Sequence, residues 1–387
     1  MGDRPFIPYG SQWINEEDIA AVVEVLRGDW LTTGPAVKTF EEGLCQAAGC
    51  TDAIALNSGT SALHCAYKAA GLGPGDVLLT SPLTFAATAS TARLLGAEVR
   101  FVDVRPDTGN LDPESLEAAW DERVRVVAPV DYAGHPADYD PIISFAHARG
   151  ARVVADAAHS LGGQYRGRPV GSLADMTAVS LHPVKPITTG EGGAVLTSDP
   201  EAASVVRAFM SHGLVRDRDR LLEDHGPWYY EIQEPGLNYR ITDLQCALGL
   251  SQLKRLDSFI GRRQEIASRY LRELNGIAEL TLPSIRGDID HGWHIFVLRV
   301  AGDPALRRPL FERMRALGLG VQVHYIPVHF HPAYRQEEDL RGSLPVAEDL
   351  YARSISIPLF PRMTDDEVSQ TIDRVRQATE EVLGTPS

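Results

Sequence analysis

Ala53-Ile54-Ala55-Leu56-Asn57-Ser58-Gly59-Thr60-Ser61-Ala62-Leu63-His64 opens on a short apolar run and closes on a helix, with a Gly- and hydroxyl-rich turn between them. A strand delivered into a helix through such a turn is half of a crossover unit. The rhythm recurs downstream. Apolar runs at 53–56, 76–80, 98–102, 124–130, 152–155, 176–180 and 193–197 mostly alternate with helical stretches at 61–70, 86–95, 113–119 and 139–149. Such alternation predicts a large α/β domain whose mainly parallel sheet is covered on both faces. Upstream, 15–27 reads as an amphipathic helix with Asn15 as its cap and Glu16, Glu17 and Asp18 in its first turn. A second helix is expected over 37–48.

Beyond Leu237 the pattern changes. A helix over 242–259 continues through 262–274, and strands at 293–300 and 320–324 are separated by helices at 305–317, 345–354 and 365–383. The expected organisation is a large α/β domain with the N-terminal segment over 1–254, and a smaller α+β domain over 255–387. No fixed-period repeat or low-complexity tract interrupts it.

Composition narrows the function classes. A chain of 387 residues with 44% hydrophobic content can bury roughly three quarters of its unfolded surface. Asp and Glu total 52 against 37 Lys and Arg, a formal charge of -15. That surface repels phosphate backbones and anionic lipid heads, so neither nucleic acid nor a membrane is an expected partner. Cys45, Cys50, Cys65 and Cys246 show no CxxC spacing, which suits a reducing compartment. No apolar run has signal-peptide or membrane-spanning length. The expectation is a cytoplasmic protein.

Three features carry chemistry. The turn at 57–62 aims free backbone N–H groups and a helix dipole at whatever sits there, and Thr60 and Ser61 add hydroxyls. It suits a phosphate, or is an ordinary capped turn. Asp156 ends an apolar strand with His159 three residues on. It faces the crevice where open α/β sheets bind ligands, or caps a helix. Lys185 is held between Pro183, Pro186 and the Gly-rich 190–193 turn. It is a rigid amine of the Schiff-base type, or a solvated loop lysine. In one domain and in this order, they are the parts pyridoxal phosphate (PLP) needs: donors for the phosphate, an acid for the ring nitrogen, an amine for the aldehyde. Phe85 could cover the ring face.

The chain thereby resembles the PLP-dependent sugar aminotransferases of the DegT/DnrJ/StrS family, which have the aspartate aminotransferase (type I) fold. The motifs are Ser58-Gly59-Thr60-Ser61-Ala62-Leu63-His64, Asp156-Ala157-Ala158-His159-Ser160-Leu161-Gly162, Ser180-Leu181-His182-Pro183-Val184-Lys185 through Gly193, and Gly236-Leu237-Asn238-Tyr239-Arg240-Ile241-Thr242-Asp243. Within that family it looks closest to the pseudaminic-acid pathway enzymes that aminate C4 of a UDP-linked 4-keto-6-deoxy sugar. Stretches 182–193, 226–231, 249–253 and 320–329 carry that closeness.

The resemblance implies roles position by position. Lys185 binds the cofactor aldehyde and shuttles the proton, Asp156 pairs with the ring nitrogen, and His159 lies near the ring's phenolic oxygen. Phe85 stacks on the ring, Thr60, Ser61 and Ser180 hold the phosphate, and Asn238 reaches it from the neighbouring subunit. The expected active unit is a homodimer with shared sites, cycling between PLP and its amine form, PMP. Leu181, Ala178, Asp131-Tyr132 and Cys246 depart from the family pattern. Asp131 lies in the stretch leading toward the sugar region, so it bears on substrate identity.

Segment 324–331 holds His324, His329 and His331, but on an extended Pro-containing stretch with no Cys nearby no metal is expected. The family reading has His324, Tyr325 and His329 lining the substrate site, with Arg240 for an anionic group and Trp228 for stacking; the alternative for Arg240 and Trp228 is packing. The expected reaction moves an amino group from glutamate to C4 of a nucleotide-linked 4-keto sugar. The rival readings are an antibiotic-pathway enzyme acting on a TDP-4-keto-6-deoxyglucose or a 4-ketopentose, and a non-catalytic sugar- or PLP-sensing regulator. PLP dehydratases of the family replace the lysine with His, and Lys185 is present.

Overall fold

The computed structural model describes residues 5–334 and 340–384, so the extreme ends of both expected domains lie outside the described residues. Helices α1 (Glu16–Arg27) and α2 (Pro35–Ala48) lead into strand β1 (Asp52–Leu56) and α3 (Gly59–Ala69). There follow β2 (Val77–Thr80), α4 (Ala87–Leu94), β3 (Glu98–Phe101), α5 (Leu116–Ala119), β4 (Val124–Ala128), α6 (Tyr139–His147) and β5 (Arg152–Asp156). Strands β6 (Met176–Ser180) and β7 (Gly193–Thr197) and helix α7 (Pro200–Phe209) complete the large unit's alternation. All seven expected strands form one sheet, in the order β1-β7-β6-β5-β4-β2-β3. The pairings from β3 through β6 are parallel, and those of β6 with β7 and β7 with β1 are antiparallel.

Alternate residues of each strand enter different cores, as the pleat requires. Ile54, Leu78, Val126, Val154 and Val195 pack under α3 and α7. Ala53, Ala55, Val179, Ala194 and Leu196 face α2, and Val77, Leu79, Val127 and Val153 face α6. Helix α7 had no counterpart in the sequence reading.

The junction with the second unit departs from expectation. The long helix expected from residue 242 is two helices, α8 (Asp243–Leu253) and α9 (Leu256–Glu273). At the break, Arg255 Nη2 reaches the buried Asp18 carboxylate of α1 at 2.5 Å. Helix α9 itself crosses the boundary. Leu256, Phe259 and Ile260 pack in the large unit's core, whereas Ile266, Ala267 and Tyr270 pack in the small one. The small unit also contains β8 (Leu280–Thr281), β9 (Phe296–Val300), α10 (Arg307–Ala316), α11 (Pro345–Arg353), β10 (Ser354–Ile357) and α12 (Asp365–Leu383). Its core takes in Ile7 from the N-terminal segment. The expected strand at 320–324 is an extended edge with a single bridge, Gln322 to Ser356. Strand β10 begins where the expected 345–354 helix was to end.

Candidate active site

Topology brings the separated motifs together. Gly193 at the start of β7 is opposite both Leu56, the last residue of β1, and Ser180, the last residue of β6. The turn after β1 therefore lies beside Ser180. A Cβ on Gly59 would stand 2.9 Å from the Ser180 Cβ and 3.2 Å from its Oγ. One on Gly193 would stand 2.4 Å from the Ser58 carbonyl oxygen. Only glycine lets these backbones approach so closely.

The α3 N-terminus is closed by a capping box: the Ser61 N–H donates to Ser58 Oγ at 3.0 Å and the Ser58 N–H to Ser61 Oγ at 3.1 Å. Ser61 is buried, and its hydroxyl donates back to Asn57 Oδ1 at 2.8 Å or the Ser58 carbonyl at 2.7 Å. Of the three hydroxyls expected to hold a phosphate, Thr60 is exposed, Ser180 is half-buried and Ser61 is engaged in the cap. The first-turn N–H groups of Gly59 and Thr60, the Thr60 hydroxyl and Ser180 make a cradle suited to a phosphate.

Asp156 lies at the carboxyl end of β5, and its Oδ2 accepts from Thr88 Oγ1 at 2.6 Å. Thr84 Oγ1 lies 2.7 Å from Thr88 Oγ1, so with the Thr88 proton committed to the carboxylate, Thr84 donates to Thr88. The Ala158 N–H donates to Oδ1 at 3.2 Å. Burial raises the Asp156 carboxyl above its ordinary value, while Thr88, Ala158 and the Lys185 ammonium oppose that rise.

Lys185 sits on the 181–192 connection, which must reverse direction because β6 and β7 are antiparallel neighbours. The connection is pinned by Leu181 N to Gly192 O, Lys185 N to His182 O and Thr189 N to Leu181 O, at 2.9, 2.9 and 3.0 Å. Burial pushes the Lys185 amine down to about 8; Asp156 opposes this and Arg263 adds to it.

Around these two groups stand imidazoles and a phenol. His159 Nε2 is 2.9 Å from Tyr325 Oη, and the Phe85 ring, 62% exposed, lies 6.3 Å from the Tyr325 ring. The His294 ring lies 4.3 Å from that of His159. His324 Nδ1 is 2.9 Å from Ser356 Oγ, and its carbonyl accepts from Tyr132 Oη at 2.5 Å. Burial, reinforced by Lys185, holds His159 and His294 well below the ordinary histidine range and His324 at about 4. All three are neutral at pH 7, so the crevice pairs one acid and one amine among uncharged donors and acceptors. His159 Nδ1 is buried with no hydrogen-bond partner among the described residues. With the glycine-lined cradle and the acid at the strand end, that orphaned nitrogen fits a ligand carrying a phosphate, a basic ring nitrogen and a further polar group.

Several expected residues lie elsewhere. His329 is fully buried against Glu348 Oε1 at 3.2 Å and the Phe101 ring; it packs the core and lines no substrate surface. Arg240 donates to Ser211 Oγ at 3.0 Å in a cleft lined by α2 and Arg207. Asn238 is exposed, next to Tyr239, whose carbonyl accepts from the Asn57 N–H. Trp228 is exposed. Asp131, in the stretch leading toward the expected sugar region, turns into the interior. It is wholly buried and accepts from Ser160 Oγ at 2.5 Å, the Ala137 N–H at 2.7 Å and Tyr139 Oη at 2.9 Å. Its backbone N–H donates to the Asp156 carbonyl at 3.1 Å. Thr88, His294 and Arg263 were not read from sequence, since no local pattern marks them. Among the described residues no group of three or more metal-ligating side chains could hold a metal ion, and no helix is long and apolar enough to cross a membrane.

Comparison with known proteins finds relatives over nearly the whole chain. A family model for the DegT/DnrJ/EryC1/StrS aminotransferase family matches residues 12–376. The spore coat polysaccharide biosynthesis protein SpsC of Bacillus subtilis is 41% identical, with 96% of each chain covered. Among solved structures, Spr1654 of Streptococcus pneumoniae, known in PLP and PMP forms, superposes in its PMP form with a TM-score of 0.91 at 30% identity over 98% of each chain. Helicobacter pylori PseC, an aminotransferase involved in the biosynthesis of pseudoaminic acid, superposes with a TM-score of 0.91 at 30% identity, over 97% of this chain and all of that one.

Proposed function

The chain belongs to the DegT/DnrJ/EryC1/StrS aminotransferase family, and on that premise we propose that it moves an amino group from glutamate to C4 of a nucleotide-linked 4-keto sugar of the UDP-4-keto-6-deoxy-hexose type. Its fold is the type I fold of PLP enzymes, it is a sugar aminotransferase, and its cofactor is PLP. The observation that carries the reading is the convergence of Lys185, Asp156 and the Gly59–Ser180 cradle at the carboxyl ends of β1, β5 and β6. The likeness to PseC and SpsC supports the nucleotide-sugar class.

Bound PLP supplies the electron sink and carries the amino group between the half-reactions. The chain's own groups do the rest. The phosphate is held by the Gly59 and Thr60 N–H groups, the Thr60 hydroxyl and Ser180. Asp156 meets the ring nitrogen, and a positive partner there keeps its carboxylate ionised against the rise that burial imposes. Phe85 offers an apolar face to the ring, and His159 Nδ1 is free to bond a ring substituent. With its amine at about 8, roughly a tenth of Lys185 is unprotonated at pH 7. Its Nζ can then take a proton from a substrate carbon and return it in the reverse half-reaction. His324 and Tyr325 border the space left for the sugar.

The active unit in this reading is a cytoplasmic homodimer in which Asn238 serves the neighbouring subunit's phosphate site and Arg240 meets an anionic group of the substrate. Leu222, Trp228, Tyr230, Ile232 and Leu237 are exposed in the segment that leads to Asn238, and a second subunit would cover them.

The test is an absorbance spectrum of the PLP-loaded protein before and after glutamate, followed by mass spectrometry of products from a panel of UDP- and TDP-linked 4-keto sugars. A visible band that glutamate removes, absent in Lys185→Ala, and amination of a UDP-linked hexose are the expected results. Amination of TDP sugars alone would move the enzyme to an antibiotic-type pathway. A protein that takes up no PLP would leave a sugar-binding regulator as the better reading.

A further inference from the structure

Arg263, in the middle of α9, is 1% exposed, and a guanidinium so deep normally sits against a carboxylate. Here its acceptors are backbone carbonyls. Nη1 donates to Trp293 O at 3.1 Å, His294 O at 3.1 Å and Leu359 O at 3.0 Å. Nη2 reaches Val184 O at 3.4 Å. Its Nε has no partner among the described residues. The four carbonyls come from three segments. Val184 immediately precedes Lys185, Trp293 and His294 lead into β9 of the small unit, and Leu359 follows β10. Helix α9 is also the element that passes from one core to the other, so the guanidinium stands at the junction of the two units.

We infer that Arg263 is a positioning residue for Lys185: its buried guanidinium ties the lysine's turn to the small unit and supplies a fixed positive charge that biases the neighbouring amine toward its neutral form. The inference rests on the reading that Lys185 is the reacting amine. Carbonyl dipoles satisfy the guanidinium's hydrogen bonds without cancelling its net charge, and in a water-poor junction that charge is felt further than at a surface. Burial lowers Arg263 only to about 10, so it stays ionised at pH 7. The other groups facing Lys185 are Asp156, which pulls the amine back toward its charged form, and His159, His294 and His324, all neutral. Arg263 is the one cation facing Lys185 among these. Its planar fork can hold several carbonyls at once, which a lysine's point charge does less well.

The test uses the cofactor-free protein and does not read activity. The chain has four lysines, Lys38, Lys68, Lys185 and Lys254. Trace acetylation with acetic anhydride across about pH 6 to 11, read by peptide mass spectrometry, titrates Lys185 against the other three as internal standards. The wild type should half-titrate at about 8. Arg263→Gln, which keeps donors but loses the charge, should raise that midpoint by about half a unit or more. Arg263→Lys, which keeps the charge and loses the fork, should stay near the wild type. An unchanged midpoint in Arg263→Gln overturns the inference, and so does an equal rise in both variants, which would assign the effect to packing. If Arg263→Gln does not fold, the lysine variant decides alone, and a Lys185 midpoint in it equal to that of the exposed Lys38 refutes the role of charge. A wild-type chain that binds no PLP would sink the functional reading while leaving this titration as measured.

Discussion

Asp131 sets burial against hydrogen bonding, and Asp131→Asn decides between them. Burial raises the carboxyl, and Ser160, Ala137 and Tyr139 donate into it and lower it, with a net value of about 7 against about 3.9 in an unfolded chain. Between those values the folded protein keeps a proton that the unfolded one has released. Stability contributed by this group is therefore greatest at low pH and falls as pH rises, by about 1.4 kcal/mol per unit, levelling once the folded carboxyl ionises near 7. The full span is about 4 kcal/mol. Asparagine resembles the neutral acid in shape and cannot ionise. Urea unfolding of both proteins at fixed concentration, from about pH 5 to 8, should give a wild-type stability that drops relative to the variant by roughly 3 kcal/mol, mostly below pH 7. Parallel profiles would refute the reasoning: they would mean that the three donors hold the carboxylate ionised throughout, so that hydrogen bonding outweighs burial.

Thr88→Val removes the 2.6 Å donor from the buried Asp156 carboxylate. It should destabilise the protein by about 1–3 kcal/mol and weaken PLP retention in equilibrium dialysis; unchanged retention would mean that Asp156 does not hold the ring. Gly59→Ala puts a Cβ 2.9 Å from that of Ser180 and should weaken PLP binding at least about tenfold, about 1.4 kcal/mol. The thermal midpoint should fall as well, because Gly59 is the first residue of α3 and the added Cβ also meets the Ser180 Cα at 3.3 Å. Full PLP affinity in that variant would place the phosphate elsewhere.

Much of the site was legible because the chemistry lay where the backbone pattern changes. Thr60 lies in the first turn of a helix, Ser180 and Asp156 each end a strand and Lys185 lies between two prolines, and a reading of strands and turns finds such places. The same reading failed where side-chain direction decides. Asp131 and His329 sit in suggestive stretches, yet their side chains turn into the core. Ser61 has the right hydroxyl, and the capping box engages it. Thr88 and His294 enter the site from residues far away in sequence, and a lone Thr in a helix or a lone His before a strand carries no local mark. The break before α9 was missed for a related reason, since Asp18 of α1, more than two hundred residues away, holds Arg255 there; helix α7, by contrast, carries its own local marks, the Asp199 cap and Pro200 in its first turn.

The sequence by itself determined the alternation of strands and helices and the order of phosphate turn, acid and amine along the chain, because local periodicity and turn chemistry are properties of neighbouring residues. Only the tertiary structure decided that these parts share one end of the sheet, at the carboxyl ends of β1, β5 and β6. That followed from β7 running antiparallel between β1 and β6, which sets the α3 N-terminus beside Ser180 and sends the Lys185 connection back across the end of the strands. Burial was likewise a tertiary outcome. Neutral histidines, a raised Asp156 and a lowered Lys185 arise from packing two units around α9, since the cost of holding a charge depends on what surrounds it in space.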